Sequence, residues 1–202
     1  MITLAIDTST AACTAALFDG GRCVAQADEL IGRGHAERLA PMLDELLDGR
    51  NADAILVGVG PGSFTGIRVG LAAASGLAIG WNSKLRGLSS LALLAASAGA
   101  SGEVAVAMIG GHGELFVQQF HGALRPAGEL LNLPPDRAAA EITAGLVVGP
   151  GAQALVDARG HGKAMDGWPS ASLALTLPEQ LRTLPPVPVY ARAPDATARS
   201  AA

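Results

Sequence analysis

Hydrophobic residues at the start of the chain fall in short runs separated by turn-forming residues. Three such runs precede the first helical pattern, and Asp19-Gly20-Gly21 lies between the second and the third. Short apolar runs bounded by glycine and aspartate are typical of strands joined by tight turns. The pattern therefore predicts three consecutive strands, over Ile2–Asp7, Ala12–Phe18 and Arg22–Glu29.

The spacing of apolar residues changes after the third run. Between His35 and Leu47 they recur every three or four positions, which predicts an amphipathic helix. Pro41 lies inside this pattern and either kinks the helix or marks its start. The apolar run Ala54–Val59 then predicts a parallel strand. The apolar side of the helix carries Leu39, Met42, Leu43, Leu46 and Leu47.

A glycine-dense segment, Gly60–Gly66, follows that strand and opens into a helical stretch of small residues. A strand, a glycine turn and a helix in this order can present backbone N–H groups to a phosphate. The Lys-Ser or Lys-Thr pair of a Walker loop is absent, since Ile67 and Arg68 follow the last glycine. One helix face carries a stripe of small residues, and each glycine there costs about 1 kcal/mol relative to alanine. The stripe therefore indicates a close neighbour, either another element of this chain or another protein. It consists of Gly66, Gly70, Ala73, Ala74 and Leu77.

The second half of the chain repeats this order of elements in a weaker form. A strand at Leu85–Leu88 and a serine-capped helix at Leu91–Ala98 end the first half. Gly149-Pro150-Gly151 then follows a predicted strand, as Gly60-Pro61-Gly62 does, which favours an internal duplication over chance. Two lobes of this kind would each have a mixed sheet covered by helices. In the second half we predict strands at Val104–Ile109, Glu114–Phe120, Ala123–Leu131 and Leu146–Val148, and a helix at Asp136–Ile142.

Composition limits the classes of function. The chain has 202 residues, half of them hydrophobic, and is long enough for a substantial core. A formal net charge of -4 without a run of either sign argues against direct nucleic-acid binding, so another subunit would hold any RNA. Cys13 and Cys23 lack zinc-like or redox spacing, and no signal-peptide pattern opens the chain, which indicates a reduced, cytoplasmic protein. The most apolar stretch is too short to span a bilayer.

Few residues are placed to carry chemistry. Asp7-Thr8-Ser9 lies where the first strand ends, and could either contact a phosphate and its metal or satisfy the backbone of its own turn. A two-lobe phosphotransferase needs a second carboxylate at the matching turn of the second lobe, where this chain has Gly110-Gly111-His112. His35 has no second ligand one helical turn later, because Leu39 stands there, and Ser63 lies outside a hydrolase elbow. The sequence therefore predicts neither a metal site nor a catalytic residue.

Four segments together closely resemble the bacterial TsaB (YeaZ) family and cover residues 1–100 well. The tail from Pro188 to Ala196 also looks like that family's ending. The resemblance implies an α/β, actin-like ATPase (ASKHA) fold with two duplicated lobes of mixed sheets flanked by helices, the second lobe short and degenerate. It also implies a non-catalytic role in making the threonylcarbamoyladenosine modification beside the tRNA anticodon. The four segments are Leu4–Ser9, His35–Met42, Gly60–Arg68 and Gly87–Leu91.

The resemblance further implies two protein partners. Members of the family form a heterodimer with TsaD, the paralogous transferase, and an ATPase subunit, TsaE, joins the complex. The chain would reach tRNA only through the complex, would contact no membrane and would hold no cofactor by itself. ATP or ADP at the subunit joint and a homodimer of the free chain stay open. The residues that match the family's dimer face are His35, Glu37, Leu39, Met42, Leu43, Leu46, Gly66, Arg68, Val69, Gly70, Ala73, Ala74 and Leu77.

The chain departs from the family at its centre, and other functions stay open. Gly110-Gly111-His112 replaces an Asp-Ala-Arg run that members usually carry, so a nucleotide contact that the family makes through that run is not carried over to this chain. One alternative is a small ATP-binding kinase or ATPase of the actin-like superfamily, with Asp7, Thr8 and Ser9 as its nucleotide loop. A protease, a name once given to relatives, lacks a metal pair and a nucleophile motif here.

The same reasoning predicts how the chain divides. We expect a first lobe over residues 1–100 and a shortened second lobe over 101–186. A stiff, proline-rich tail over 187–196 would either dock on the first lobe or bind a partner.

Overall fold

The first half of the chain folds into a mixed five-stranded sheet. The computed structural model describes residues 1–99 and 102–190. The strands of the first sheet are β1 (Ile2–Asp7), β2 (Ala12–Asp19), β3 (Arg22–Leu30), β4 (Ala54–Gly58) and β5 (Lys84–Leu88). They lie in the order β3-β2-β1-β4-β5. The strands β1, β2 and β3 pair antiparallel, whereas β1, β4 and β5 pair parallel, so the predicted opening meander and parallel strand are confirmed.

Three helices accompany this sheet. They are α1 (His35–Leu47), α2 (Phe64–Trp81) and α3 (Ser90–Ser97). Pro41 lies inside α1 on its exposed side, so it neither starts nor ends the helix. Serine side chains cap the other two helices: Ser63 accepts a bond from the Gly66 N–H, and Ser89 accepts one from the Ala92 N–H.

A second sheet repeats the arrangement of the first. Its strands are β6 (Val104–Ile109), β7 (Leu115–His121), β8 (Arg125–Pro126), β9 (Leu131–Leu133), β10 (Leu146–Val148) and β11 (Lys163–Met165). The order is β11-β10-β6-β7-β8, with β9 also paired to β7. The central β6 pairs antiparallel with β7 and parallel with β10, as β1 does with β2 and β4. The two halves therefore share one topology, a mixed sheet flanked by helices that occurs twice in the chain.

The glycine turns of the two halves occupy matching places. Gly62 lies after β4 with its α-carbon against the Ser9 carbonyl, and Gly151 lies after β10 against the Ala107 carbonyl. A Cβ at Gly62 would overlap the Ser9 carbonyl, and one at Gly151 would lie 2.8 Å from the Leu115 side chain and 3.1 Å from the Ala107 carbonyl oxygen, which explains why both turns carry glycine. This match of place and contact supports the duplication that the sequence pattern indicated.

The second half differs in detail from its prediction. A single strand over Ala123–Leu131 is wrong. Ala123 and Leu124, with positive φ angles of 56° and 57°, form the turn that joins β7 to β8, and Gly128, with a φ of 133°, lies between the short strands β8 and β9. Some elements were not predicted at all. They are the helices α5 (Ala152–Arg159) and α6 (Glu179–Arg182), the strand β11 and a 3-10 segment at Ala171–Thr176; the predicted helix is α4 (Pro135–Glu141).

One hydrophobic cluster joins the two sheets. The α3 residues Leu91, Leu93 and Leu94 are at most 1% exposed, and they belong to the same cluster as side chains from both sheets. The 3-10 segment Ala171–Thr176 closes this cluster from the side. A second cluster lies between the first sheet, α1 and α2. The space between the lobes is therefore packed core.

Candidate functional site

The polar turn at the end of β1 is the centre of a buried hydrogen-bond network. Asp7 has no solvent exposure. The backbone N–H and the hydroxyl of Ser9 donate to Asp7 Oδ1 at 2.8 and 2.7 Å, and the Ser90 hydroxyl donates to Oδ2 at 2.6 Å. The Gly60 N–H in turn donates to Ser90 Oγ at 3.1 Å. The network thus ties β1 to the start of α3 and to the glycine turn after β4.

Burial dominates the electrostatics of this carboxyl. Desolvation raises the pKa of Asp7 above its ordinary value, while the bonds from Ser90 and Ser9 and the charge of His35 act in the opposite direction. The neighbouring Thr8 hydroxyl donates to the Gly66 carbonyl at 2.7 Å, and the Ser9 carbonyl accepts from the Ser63 N–H at 2.7 Å. The structure thus brings the predicted loop of Asp7, Thr8 and Ser9 together. In the described part of the chain, these side chains bond within the turn or to adjacent elements.

The small-residue stripe of α2 faces this same turn. A Cβ added at Gly66 would overlap the Thr8 carbonyl, and one added at Gly70 would lie 2.5 Å from the Thr8 hydroxyl oxygen. The close neighbour of these glycines is therefore the chain's own β1–β2 turn. The glycines give no reason to place another protein against this side of α2.

Several residues of the expected partner face are buried inside the chain itself. His35 is 8% exposed, and its Nε2 lies 3.3 Å from the Ala12 carbonyl. The apolar side of α1 packs on the first sheet, as an amphipathic helix should. Side chains held in the chain's own core present little area to a partner. The predicted residues that the structure buries in this way are His35, Leu39, Met42, Leu43, Leu46, Gly66, Gly70 and Ala74.

The opposite side of α2 is exposed and apolar. Ile79 is 84% exposed, and a Cβ added at Gly76 or Gly80 would meet no atom within 4 Å. No charged residue lies between Arg68 and Lys84. We call this side the α2 outer face; it comprises Thr65, Arg68, Ala72, Gly76, Ile79 and Gly80, with Val69 and Ala73 at its border. Of the remaining predicted residues, Glu37 on α1 is exposed and Leu77 on α2 is half-buried.

The sequence signal for the α2 outer face was present but ambiguous. Ala72, Gly76 and Gly80 recur every four residues, as the buried stripe does, and only the position of Thr8 shows which stripe faces inward. By length and composition α2 could also cross a membrane, a test that core helices of soluble proteins pass as well. Here Ile67, Leu71 and Ala74 pack on the first sheet.

An aromatic cluster lies at the N-terminal end of the α2 outer face. The Arg68 guanidinium carbon lies 3.6 Å from the centre of the Phe64 ring and 5.9 Å from that of Tyr190. The two rings are 5.4 Å apart, and Arg68 Nε donates to the Tyr190 hydroxyl at 3.1 Å. The sequence did not reveal this cluster, because Tyr190 lies far along the chain. The sequence could have indicated only the contact between Phe64 and Arg68, which lie one helical turn apart.

The C-terminal segment reaches this cluster along the first sheet. Leu184 and Gly87 exchange backbone hydrogen bonds of 3.0 and 2.7 Å at the edge of β5, and the Val189 N–H donates to the Val59 carbonyl at 2.8 Å. Up to Tyr190 the tail therefore docks on the first lobe. Its predicted continuation over residues 191–196 lies outside the described residues.

The described residues hold no group of three or more His, Cys, Asp or Glu side chains that could bind a metal. At the matching turn of the second lobe, Gly111–Gly113 form a 3-10 turn, and Glu114 accepts a 2.6 Å bond from the Asn132 amide. Glu114 is thus engaged with β9 and does not replace the missing carboxylate.

The chain is similar to proteins of one family. A family model described as "TsaD: tRNA N6-adenosine threonylcarbamoyltransferase" matches residues 28–159. The tRNA threonylcarbamoyladenosine biosynthesis protein TsaB of Haemophilus influenzae is 43% identical over 47% of this chain and 42% of its own length. Escherichia coli TsaB is 41% identical over 47% and 43%. The match thus spans less than half of each TsaB protein.

A solved structure extends the likeness to nearly the whole chain. YeaZ from Pseudomonas aeruginosa superposes with a TM-score of 0.76 and 31% identity, covering 94% of this chain and 99% of YeaZ. The family model and this full-length match together show that the chain belongs to the TsaB (YeaZ) family.

Proposed function

We propose that this protein acts in the biosynthesis of threonylcarbamoyladenosine in tRNA, as a cytoplasmic, non-catalytic subunit that pairs with a TsaD-like transferase. The TsaB proteins of H. influenzae and E. coli carry this pathway in their names. The family model that matches residues 28–159 is that of the transferase itself, which supports a paralogous relation between the two chains.

The state of Asp7 carries the non-catalytic part of the proposal. In an enzyme of this fold, the carboxylate at the end of β1 would have to meet nucleotide or metal. Here it is fully buried and bonded to Ser9 and Ser90, and Gly58 packs against it so closely that a Cβ there would overlap Oδ2. Freeing the carboxylate would leave several buried polar groups without partners, each costing about 1–3 kcal/mol. We therefore expect the chain by itself to hold no nucleotide.

The α2 outer face supports the pairing part. A helix surface whose single charged residue is Arg68, with Ile79 at 84% exposure, is unusual on a protein that stays alone. Gly76 and Gly80 each cost helix stability that no contact in the described chain requires, and they would let a partner helix approach closely. Because the transferase model spans α1 and α2, the partner should present equivalent helices, in a pseudo-symmetric contact. Glu37, Val69, Ala73 and Leu77 would lie at its border.

The remaining parts of the complex are proposed from the family resemblance. A TsaE-like ATPase would join the heterodimer, and any ATP or ADP would bind only at the joint of the two subunits. With a net charge of -4, this chain would contact tRNA only through the complex. Without its partner, the same apolar face could hold two copies together.

The test is to mix the purified chain with the TsaD-like protein of the same organism and measure the mass of the complex by size-exclusion chromatography with light scattering. We expect a one-to-one heterodimer. Ile79→Glu places a charge in the α2 outer face and should abolish it. Ile109→Glu is the matched control, because Ile109 is 64% exposed at the end of β6, and it should pair normally.

Two results would contradict the proposal. One is a chain that stays apart from the transferase with and without ATP and the third subunit. The other is tight Mg-ATP binding by the isolated chain that Asp7→Asn removes, which would favour the kinase or ATPase alternative.

A further inference from the structure

The Arg68 side chain is held in a fixed position on an otherwise uncharged surface. Its guanidinium stacks on Phe64 at 3.6 Å and is bonded through Nε to the Tyr190 hydroxyl at 3.1 Å. Arginine on a surface helix normally samples many rotamers, and fixing such a side chain costs entropy. Here the Arg68 side chain is already ordered in the free protein, so binding a partner would cost little further side-chain entropy.

The terminal amino groups of Arg68 remain available. Within residues 1–99 and 102–190, no carboxylate lies within ion-pair distance of Arg68, and only Nε takes part in a hydrogen bond. Two other arginines, Arg38 and Arg159, are engaged. Arg38 binds Glu29 through two nitrogens at 2.6 and 2.7 Å, and Arg159 donates to the Ile142, Ala144 and His161 carbonyls. Arg68 therefore presents a free fork of N–H donors.

We propose that Arg68 is a receptor for a carboxylate side chain of the transferase, and that Tyr190 holds it in position. This inference rests on the proposed pairing and names the chemistry of one contact within it. The planar guanidinium matches a carboxylate with two parallel hydrogen bonds. The contact would lie at the N-terminal end of the α2 outer face, so the partner surface should be apolar along the helix and acidic at this end.

The docked tail gains a role from this arrangement. The Val59–Val189 backbone bond fixes the segment that places Tyr190 beside Arg68. Tyr190 is 43% exposed and Phe64 is 52% exposed, so neither ring is buried for the sake of the chain's own core. Burying both rings around a paired arginine is the arrangement that carries binding energy at protein interfaces. Tyr190 is thus a positioning residue, and Arg68 is the residue that touches the partner.

The experiment measures the dissociation constant for the transferase at several salt concentrations, with full-length variants. Arg68→Gln should weaken binding roughly 10- to 100-fold, the range of one charge-assisted pair. Arg68→Lys should weaken binding by a similar factor, since lysine keeps the charge but neither stacks on the Phe64 ring nor forms two parallel hydrogen bonds with a carboxylate. Tyr190→Phe, which removes only the hydroxyl, should cost about 2- to 10-fold. Arg86→Gln is the control, because Arg86 is an exposed arginine on β5.

The salt dependence separates a charge pair from lost packing. Binding by the unmodified chain should weaken as salt rises, and this slope should be shallower in Arg68→Gln and unchanged in Arg86→Gln. Binding of Arg68→Gln within twofold of the unmodified chain would overturn the inference and leave the proposed pairing intact. If that variant pairs normally but its complex loses affinity for tRNA, the ligand is an RNA phosphate and the inference is wrong. If the unmodified chain does not bind the transferase, the proposed function fails and the inference fails with it.

Discussion

Four glycines on α2 should respond to alanine in opposite ways, according to the side of the helix on which they lie. Gly66 and Gly70 face the β1–β2 turn, whereas Gly76 and Gly80 face open space. Alanine at any of them gains about 1 kcal/mol of helix propensity. The sign of the net effect then depends on what the added methyl group meets.

The inward substitutions should destabilise the fold. At Gly66 the methyl group would overlap the Thr8 backbone carbonyl, which cannot rotate away. Overpacking of this kind costs about 1–3 kcal/mol, and a shift of Thr8 would also disturb its bond to the Gly66 carbonyl, worth about 0.5–1.5 kcal/mol. We expect Gly66→Ala to cost about 2 kcal/mol net. Gly70→Ala should cost about 1 kcal/mol, because there the obstacle is the Thr8 hydroxyl, 2.5 Å away.

The outward substitution provides the matched control. Gly76→Ala adds the same methyl group to the same helix without a neighbour within 4 Å, so it should stabilise the chain by up to about 1 kcal/mol. Urea unfolding followed by circular dichroism measures the free energy of unfolding of all three variants. In a thermal melt, a change of about 1 kcal/mol should shift the melting temperature by roughly 2–4 °C. A Gly66→Ala variant as stable as Gly76→Ala would refute the packing of α2 on the β1–β2 turn.

Two further predictions concern buried titratable groups. Burial raises the pKa of Asp7 in the folded protein above the ordinary value that it has in the unfolded chain. The neutral carboxyl group therefore stabilises the fold at pH values below the ordinary pKa, and this stabilisation is lost as the pH rises through the raised pKa. The free energy of unfolding should therefore fall more between pH 4 and pH 7 in the unmodified chain than in Asp7→Asn, and equal slopes would contradict this. Burial, with the charge of Glu29 adding to it, raises the pKa of Cys13 to about 11, while Cys23 is exposed. A thiol reagent at pH 8 should therefore label Cys23 alone in the native protein and both thiols after denaturation, and native labelling of Cys13 would count against its burial.

Long periodic segments could be predicted from the sequence, whereas short ones could not. The helix over His35–Leu47 matched its predicted bounds because its apolar residues recur over several turns. The helix α5 has eight residues and only two fully buried side chains, so its pattern is too weak to read. The strand β11 has three residues and forms only because β10 lies beside it. In such elements tertiary pairing decides the structure, and local sequence contributes little.

The candidate site shows the same limit in another form. A small-residue stripe indicates close approach, but the sequence does not say whether the neighbour is Thr8 of the same chain or a helix of another. The two stripes of α2 have the same spacing and opposite roles. The cluster at Arg68 depends on Tyr190, which the tail brings back across the first sheet, and no local pattern reports such a contact.

The hydrophobic cluster between the two lobes limits how far the lobes can move apart. An enzyme that closes two lobes around a nucleotide needs a cleft that can open. Here Leu91, Leu93 and Leu94 of α3 are buried in one hydrophobic cluster with side chains of both sheets. Exposing three buried leucines would cost about 5–9 kcal/mol, which is comparable to the whole stability of a typical domain. The two lobes should therefore move as one body, and partners would meet its surface at the α2 outer face and the cluster beside it.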